Sequence, residues 1–141
     1  MKTDVQTSLR VTPDMLRNWL DRLDGDARPP RGLDIRASER LRYRSRGLTL
    51  EIPETGAPST RHEVAGRNLS REGLGLLASR YVYPQTPCRI TLIDAQARRW
   101  NIPARVARCR YVVGSGSLYD VGLTFDRPIE VEAFTVAETP A

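Results

Sequence analysis

The sequence has a single lysine, Lys2, and a single histidine, His62. Its two cysteines, Cys88 and Cys109, fall in separate strand-like segments and form no CxxC pair. A zinc site needs about four Cys, His or carboxylate ligands, and this inventory points to none. Catalytic signatures are also missing: there is no GxSxG, no Walker loop and no HExxH. His62 stands at an expected exposed strand end with no nucleophile partner. Glu51 and Glu54 flank a proline-bearing loop and read as solvated surface. The chain is therefore not expected to be an enzyme. No N-terminal apolar run resembles a signal peptide, and no stretch approaches the roughly 20 apolar residues of a membrane-crossing helix. A cytoplasmic protein with reduced thiols is expected. In that setting the glycosylation sequon Asn68-Leu69-Ser70 has no meaning.

What remains is ordinary in bulk and unusual in charge. A chain of 141 residues suggests one domain, long enough to bury roughly 68% of its unfolded surface without disulfide or metal. The net charge is +5, and all but one of the 22 basic residues are arginine. The planar guanidinium fork suits phosphate and the N7/O6 edge of guanine. An anionic partner is one reading, and an arginine-rich composition with no such meaning is the other.

Residues 1–33 read as a loose polar leader (1–11), a helix at about 13–24 and a Pro-rich linker. Thr12 is a good helix cap, Pro13 suits the first helical position and Asp14 complements the helix dipole. Met15, Leu16, Trp19, Leu20 and Leu23 form an apolar stripe, with Gly25 as a plausible stop. Residues 34–127 read as six short strands separated by turns too brief for crossover helices. PETGAPST reads as a loop and 62–68 as a strand, followed by 73–79. Cys88, Ile90 and Leu92 share one face, and Val121, Leu123 and Phe125 another. The apolar phase shifts within 100–113, which a β-bulge would explain. GSGS at 114–117 reads as a hairpin connection. Residues 128–141 form a tail with a short helix possible after Pro128. Trp19 is expected to anchor the helix, and core packing is favoured over base stacking for Trp100.

Two features stand out. Arg36, Arg40, Arg42, Arg44 and Arg46 crowd the segment before the first strand, and Asn68-x-Ser70-x-x-Gly73 forms a turn between two strands. Asn-x-Ser before Gly is by itself a common side-chain-capped turn. Together, Arg36-x-x-x-Arg40, Asn68-x-Ser70-x-x-Gly73 and Val121-Gly122-x-x-Phe125, in this order and spacing, resemble the PilZ domain over roughly residues 34–127. The resemblance implies a six-stranded antiparallel all-β barrel, here with a short N-terminal helix, and a binding site for the bacterial second messenger cyclic di-GMP. It implies that Arg36 and Arg40 wrap the ligand's phosphates and guanines. Asn68 would present its amide to a guanine edge, Ser70 would donate its hydroxyl, and Gly73 would leave room where the ligand approaches. Arg40/Arg44 and Arg42/Arg46 are overlapping alternatives. Arg36/Arg40 is favoured because the apolar Leu41 follows Arg40, whereas Ser45 follows Arg44 and Gly47 follows Arg46.

The expected function is thus a cyclic di-GMP receptor that needs no cofactor. It would change conformation and signal to an unidentified protein partner in motility, secretion or exopolysaccharide control. A PilZ-like adaptor that binds no nucleotide is the first alternative. A basic nucleic-acid-binding barrel, stacking bases on Tyr81/Tyr83 or Tyr43, is less expected because the chain has only five Tyr and two Phe.

Overall fold

The computed structural model describes residues 5–7, 9, 11–26, 41–54 and 56–134. In chain order the elements are β1 (Val5–Thr7), α1 (Pro13–Asp26), β2 (Leu41–Arg42), β3 (Leu48–Glu54), β4 (Ala57–Leu69), β5 (Gly73–Ala78), β6 (Pro87–Ile93), β7 (Arg99–Tyr111), β8 (Tyr119–Phe125) and a 3-10 turn at Val131–Phe134. The strands from β3 onward pair in the cycle β4–β3–β6–β7–β8–β5–β4, every pair antiparallel. The result is the closed six-stranded barrel that the sequence implies, with one helix outside it. Closure removes the unpaired edges that an open sheet would expose.

Alternation places one face of every strand inside. Leu48, Leu50, Val64, Leu69, Leu76, Ile90, Leu92, Val106 and Val121 fill the barrel with almost no exposure. Strand β5 departs from alternation because both of its faces are covered. Leu74, Leu76 and Ala78 point into the barrel, while Leu77 packs outward against the helix. That double burial explains the unbroken apolar run 74–78. The bulge expected in β7 falls at Ala107, between the pairs Val106–Leu123 and Arg108–Gly122. Cys88 is a core residue, and burial pushes its thiol up to about 11.

Strand β4 differs most from expectation. It begins at Ala57 rather than 62, because the expected PETGAPST loop closes as a hairpin with Glu54 opposite Ala57 and Gly56 at φ +74°. Its polar outward residues disguise the alternation. His62 is not an exposed strand end: it lies opposite Leu50, is buried, and its pKa is lowered by burial and by the Arg80 charge. The flank of β4 also receives β1, in parallel, and β2, antiparallel. The leader is therefore not wholly loose: it contributes a strand and the buried Leu9, whose N–H donates to Glu63 Oε1 at 3.0 Å.

The α1 helix begins where expected, with Thr12 Oγ1 accepting the Met15 N–H at 3.1 Å. It runs past Gly25 to Asp26. Leu16 and Leu20, flanked by half-buried Trp19 and Leu23, pack on Ala65, Leu77, Val112 and Leu118 on the barrel's outer surface. Burying each leucine contributes about 1.5–3 kcal/mol. Met15 is not part of this contact. It is 47% exposed, because the face centres on 16, 20 and 23 and Met15 falls beyond its edge.

The C-terminal turn closes one end of the barrel. Phe134 meets Tyr43 edge-on at 6.0 Å and Trp100 at 5.5 Å. Trp100 is not the core residue that the sequence favours: it is 36% exposed, touching Phe134 with one side of its ring, and its Nε1 donates to Asp94 Oδ2 at 2.9 Å. Tyr43 is buried, and its hydroxyl both donates to Ile93 O (2.7 Å) and accepts from Ile93 N (3.0 Å). Tyr43→Phe strands both backbone groups and is expected to cost about 1–3 kcal/mol, read as a lower urea midpoint at unchanged slope. Asp94 offers a pH test. Its Trp100 bond, then backbone N–H bonds from Arg98 and Gln96 and the Arg98 charge, outweigh burial and hold its carboxyl below the ordinary 3.8. A carboxyl lowered on folding stabilises the fold above its unfolded pKa, and that contribution is lost as pH falls through the folded pKa. Melting temperature measured from roughly pH 5 to pH 2 should therefore fall less steeply in Asp94→Asn than in the wild type.

Candidate functional site

The outer surface beside α1 is shaped by a bulge in β4. Gly66 pairs with Leu76 and Asn68 with Gly75, so Arg67 is the extra residue. One extra residue breaks the alternation. Ala65 packs outward under α1 and Leu69 inward, and between them both Arg67 and Asn68 face outward. The Asn68 amide lies on the backbone of Gly75, where a Cβ would stand 2.5 Å from Asn68 Oδ1.

The turn that follows is tight and internally bonded. Ser70 N–H donates to Gly73 O at 2.9 Å. Ser70 Oγ accepts the N–H groups of Glu72 (3.3 Å) and Gly73 (3.2 Å). Its own proton has only a long contact to Gly73 O, at 3.5 Å, which leaves the hydroxyl able to turn and donate elsewhere. Gly73 is required for a reason the sequence does not disclose: a Cβ there would stand 2.3 Å from Leu123 O. Strand β8 fixes this glycine whether or not a ligand approaches. Two further bonds, Phe125 N to Glu72 O and Ile129 N to Arg71 O (both 2.8 Å), tie the turn to the barrel.

Arg67 is the neighbour whose role the sequence conceals. Its side chain is 8% exposed and faces Asp120, itself 7% exposed, with Nη1–Oδ1 at 3.1 Å. Its Nη2 donates to Leu23 O in the last turn of α1 at 3.3 Å. Asp120 also faces Arg110 (3.5 Å) and Arg108 (3.8 Å). Three guanidiniums share one carboxylate, so the surface next to Asn68 keeps a surplus of positive charge suited to an anion.

The expected arginines are distributed unequally. Arg36 and Arg40 lie outside the described residues. Leu41, the residue after Arg40, pairs with Leu69, and Arg42 with Asn68, so residues 41–42 join the barrel beside the turn. Arg44 is directed to the helix, with Nη1 bonded to Asp21 Oδ1. Arg46 Nη2 donates to Val11 O at 3.2 Å. Tyr43, offered above as a stacking ring, is buried and cannot serve. Tyr81 and Tyr83 meet edge-on at 5.1 Å, at the start of a tyrosine series that continues through Tyr119 to Tyr111. Among the described residues no group of three His, Cys, Asp or Glu could hold a metal, and no helix is long and apolar enough to cross a membrane.

No protein-family model and no curated protein matches the chain. Solved structures do match. The K. pneumonia MrkH–c-di-GMP complex aligns with 67% of this chain and 45% of its own, at 14% identity and TM-score 0.50. The Bacillus subtilis inhibitor of motility MotI/DgrA aligns with 74% of this chain and 51% of its own, at 15% identity and TM-score 0.51. The PilZ domain with c-di-GMP of Escherichia coli YcgR aligns over 70% and 80%, at 15% identity and TM-score 0.46. The chain spans about half the length of the first two. The shared feature is the fold, which is the PilZ-type barrel.

The Asp120 cluster gives a direct test of which arginine holds the barrel surface together. Arg67→Ala leaves a buried carboxylate with only its two longer contacts and is expected to cost about 3–5 kcal/mol. Arg110, 68% exposed, should cost under about 1 kcal/mol on the same change. Chemical denaturation of the two variants side by side checks the contrast.

Proposed function

We propose that this chain is a receptor for cyclic di-GMP, held on the outer barrel surface around Asn68–Gly73 and closed over by the segment carrying Arg36 and Arg40. The observation that carries this reading is the pairing of Leu41–Arg42 with Leu69–Asn68. It brings the chain that resumes directly after Arg40 alongside the Asn-x-Ser turn. The arginine surplus beside Asp120 supports it, as does fold likeness to MrkH, which was solved as a c-di-GMP complex. In this reading the arginines supply bidentate contacts to phosphate and guanine. Asn68 meets a guanine edge, and the Ser70 hydroxyl turns its proton to the ligand. In this reading Arg44 latches the helix through Asp21, and the ligand contacts fall to Arg36 and Arg40. Binding, not catalysis, is the activity, in the cytoplasm.

The signal would leave through α1. Arg67 adjoins Asn68 in the bulge and holds Leu23 O, and Arg44 holds Asp21, so two arginines flanking the site grip one helix. Displacement of that helix would alter a surface read by a protein partner, in motility, secretion or exopolysaccharide control. One observation favours the second reading, an adaptor without nucleotide: Ser70 and Gly73 are already needed to build the turn.

Calorimetric titration of the purified chain with cyclic di-GMP, with GTP as control, separates these readings. Micromolar binding absent for GTP is expected, with Arg40→Ala weakening it at least tenfold and Arg44→Ala within about threefold of wild type. Ligand at about 100 times Kd should add close to 2.7 kcal/mol of stability, seen as a higher melting temperature. No heat and no thermal shift at millimolar ligand would leave the adaptor reading.

A further inference from the structure

Beyond the Asn68–Gly73 turn, the outer surface carries a row in which Asn68 and Gly122 of the motifs align with two residues the motifs do not name. Across β7, β8, β5 and β4 the registered residues are Arg108, Gly122, Gly75 and Asn68. The two central positions have no side chain, and their neighbours on both sides lie down over them. Asn68 lies on Gly75. Arg108 lies on Gly122, where a Cβ would stand 3.1 Å from its Cγ, 3.3 Å from its Nε and 3.6 Å from its Cδ. Strands are about 4.8 Å apart, so the two planar groups rest side by side on a glycine floor.

Arg108 is poorly explained as a structural residue. Its contact with Asp120 is long, at 3.8 Å, and Asp120 already has Arg67 at 3.1 Å. Its Nε is buried against the sheet with no hydrogen-bond partner among the described residues. Yet the side chain is 40% exposed. One face is pressed on the strand and the other is open, as a stacking platform requires.

We propose that Arg108 is a ligand-binding residue that stacks its guanidinium on the face of a guanine base, the base lying flat over the glycine-floored shelf next to Asn68. This rests on the reading that the chain binds cyclic di-GMP. A guanidinium plane attracts a purine face by cation–π and stacking forces, and an ammonium does not reproduce its planar geometry. The glycines are part of the site. A side chain at 75 or 122 would lift Asn68 or Arg108 off the sheet and break the flat surface.

The test is titration with cyclic di-GMP of wild type, Arg108→Ala and Arg108→Lys, each checked for unchanged circular dichroism and melting temperature, with Arg40→Ala alongside. Loss of at least tenfold in affinity in both Arg108 variants is expected. A Lys variant that binds as wild type would reduce Arg108 to a point charge and overturn the stacking proposal. An Ala variant within twofold of wild type, while Arg40→Ala loses binding, would overturn any contact and leave the receptor reading intact. No binding by the wild type would remove that reading, and this proposal with it. A spectroscopic measurement on the unaltered protein removes dependence on variant folding. The Arg108 Nε–H resonance, assigned from its absence in Arg108→Lys, should move upfield under the guanine ring current on saturation. A resonance that does not move overturns the proposal.

Discussion

A buried carboxylate sets the terms for the outer surface of this barrel. Asp120 lies on β8 where α1 and β4 converge, and it is almost wholly covered. A charge removed from water requires a close opposite charge. The one that reaches it most closely is Arg67, and Arg67 reaches it because β4 carries one residue too many. The same bulge turns Asn68 to the outside. The last turn of the helix then rests on a second donor of Arg67, through Leu23 O. Neutralising Asp120, exposing Asn68 and docking α1 are therefore one arrangement seen from three sides.

This arrangement makes the turn at 68–73 both structure and candidate site. Ser70 organises two backbone N–H groups and retains a rotatable proton. Gly73 is dictated by Leu123 O, and Gly75 by the Asn68 amide. Residues that a barrel needs for closure are the ones a ligand would find pre-positioned. The organisation energy is already spent in the unliganded fold, which reduces the ordering that binding requires.

Much of the fold was legible because it rests on periodicity and local chemistry. Alternation in 88–92 and 121–125, the phase shift in β7, the Thr12 cap and the glycines of 114–117 all read through to structure. The misreadings have a common cause. Met15, His62 and the start of β4 depend on what covers each face, and covering is tertiary. Pro58 and the polar residues 59–61 disguised a strand that β1 and β3 complete, and His62 looked exposed until the barrel closed over it. The motif positions 68, 70 and 73 were legible as a constellation, but the reason for Gly73 was not, because Leu123 lies fifty residues away in the chain. Arg67 stands directly before the motif, and nothing in its local sequence marks it as buried. Its burial depends on Asp120, which no local pattern connects to it.

The outward packing of α1 also orders events in time. Its contacts, Ala65, Leu77, Val112 and Leu118, are supplied by β4, β5 and the β7–β8 connection. None exists as a surface until those strands have met. A helix of 14 residues is marginal by itself. So α1 is expected to join late in folding and to leave early in unfolding, with an opening free energy below that of the barrel. Unfolding is thus expected to begin at the place from which the proposed signal would leave. A helix that melts first from a barrel that stays closed would let the proposed signal act through partial unfolding, with the rest of the domain intact.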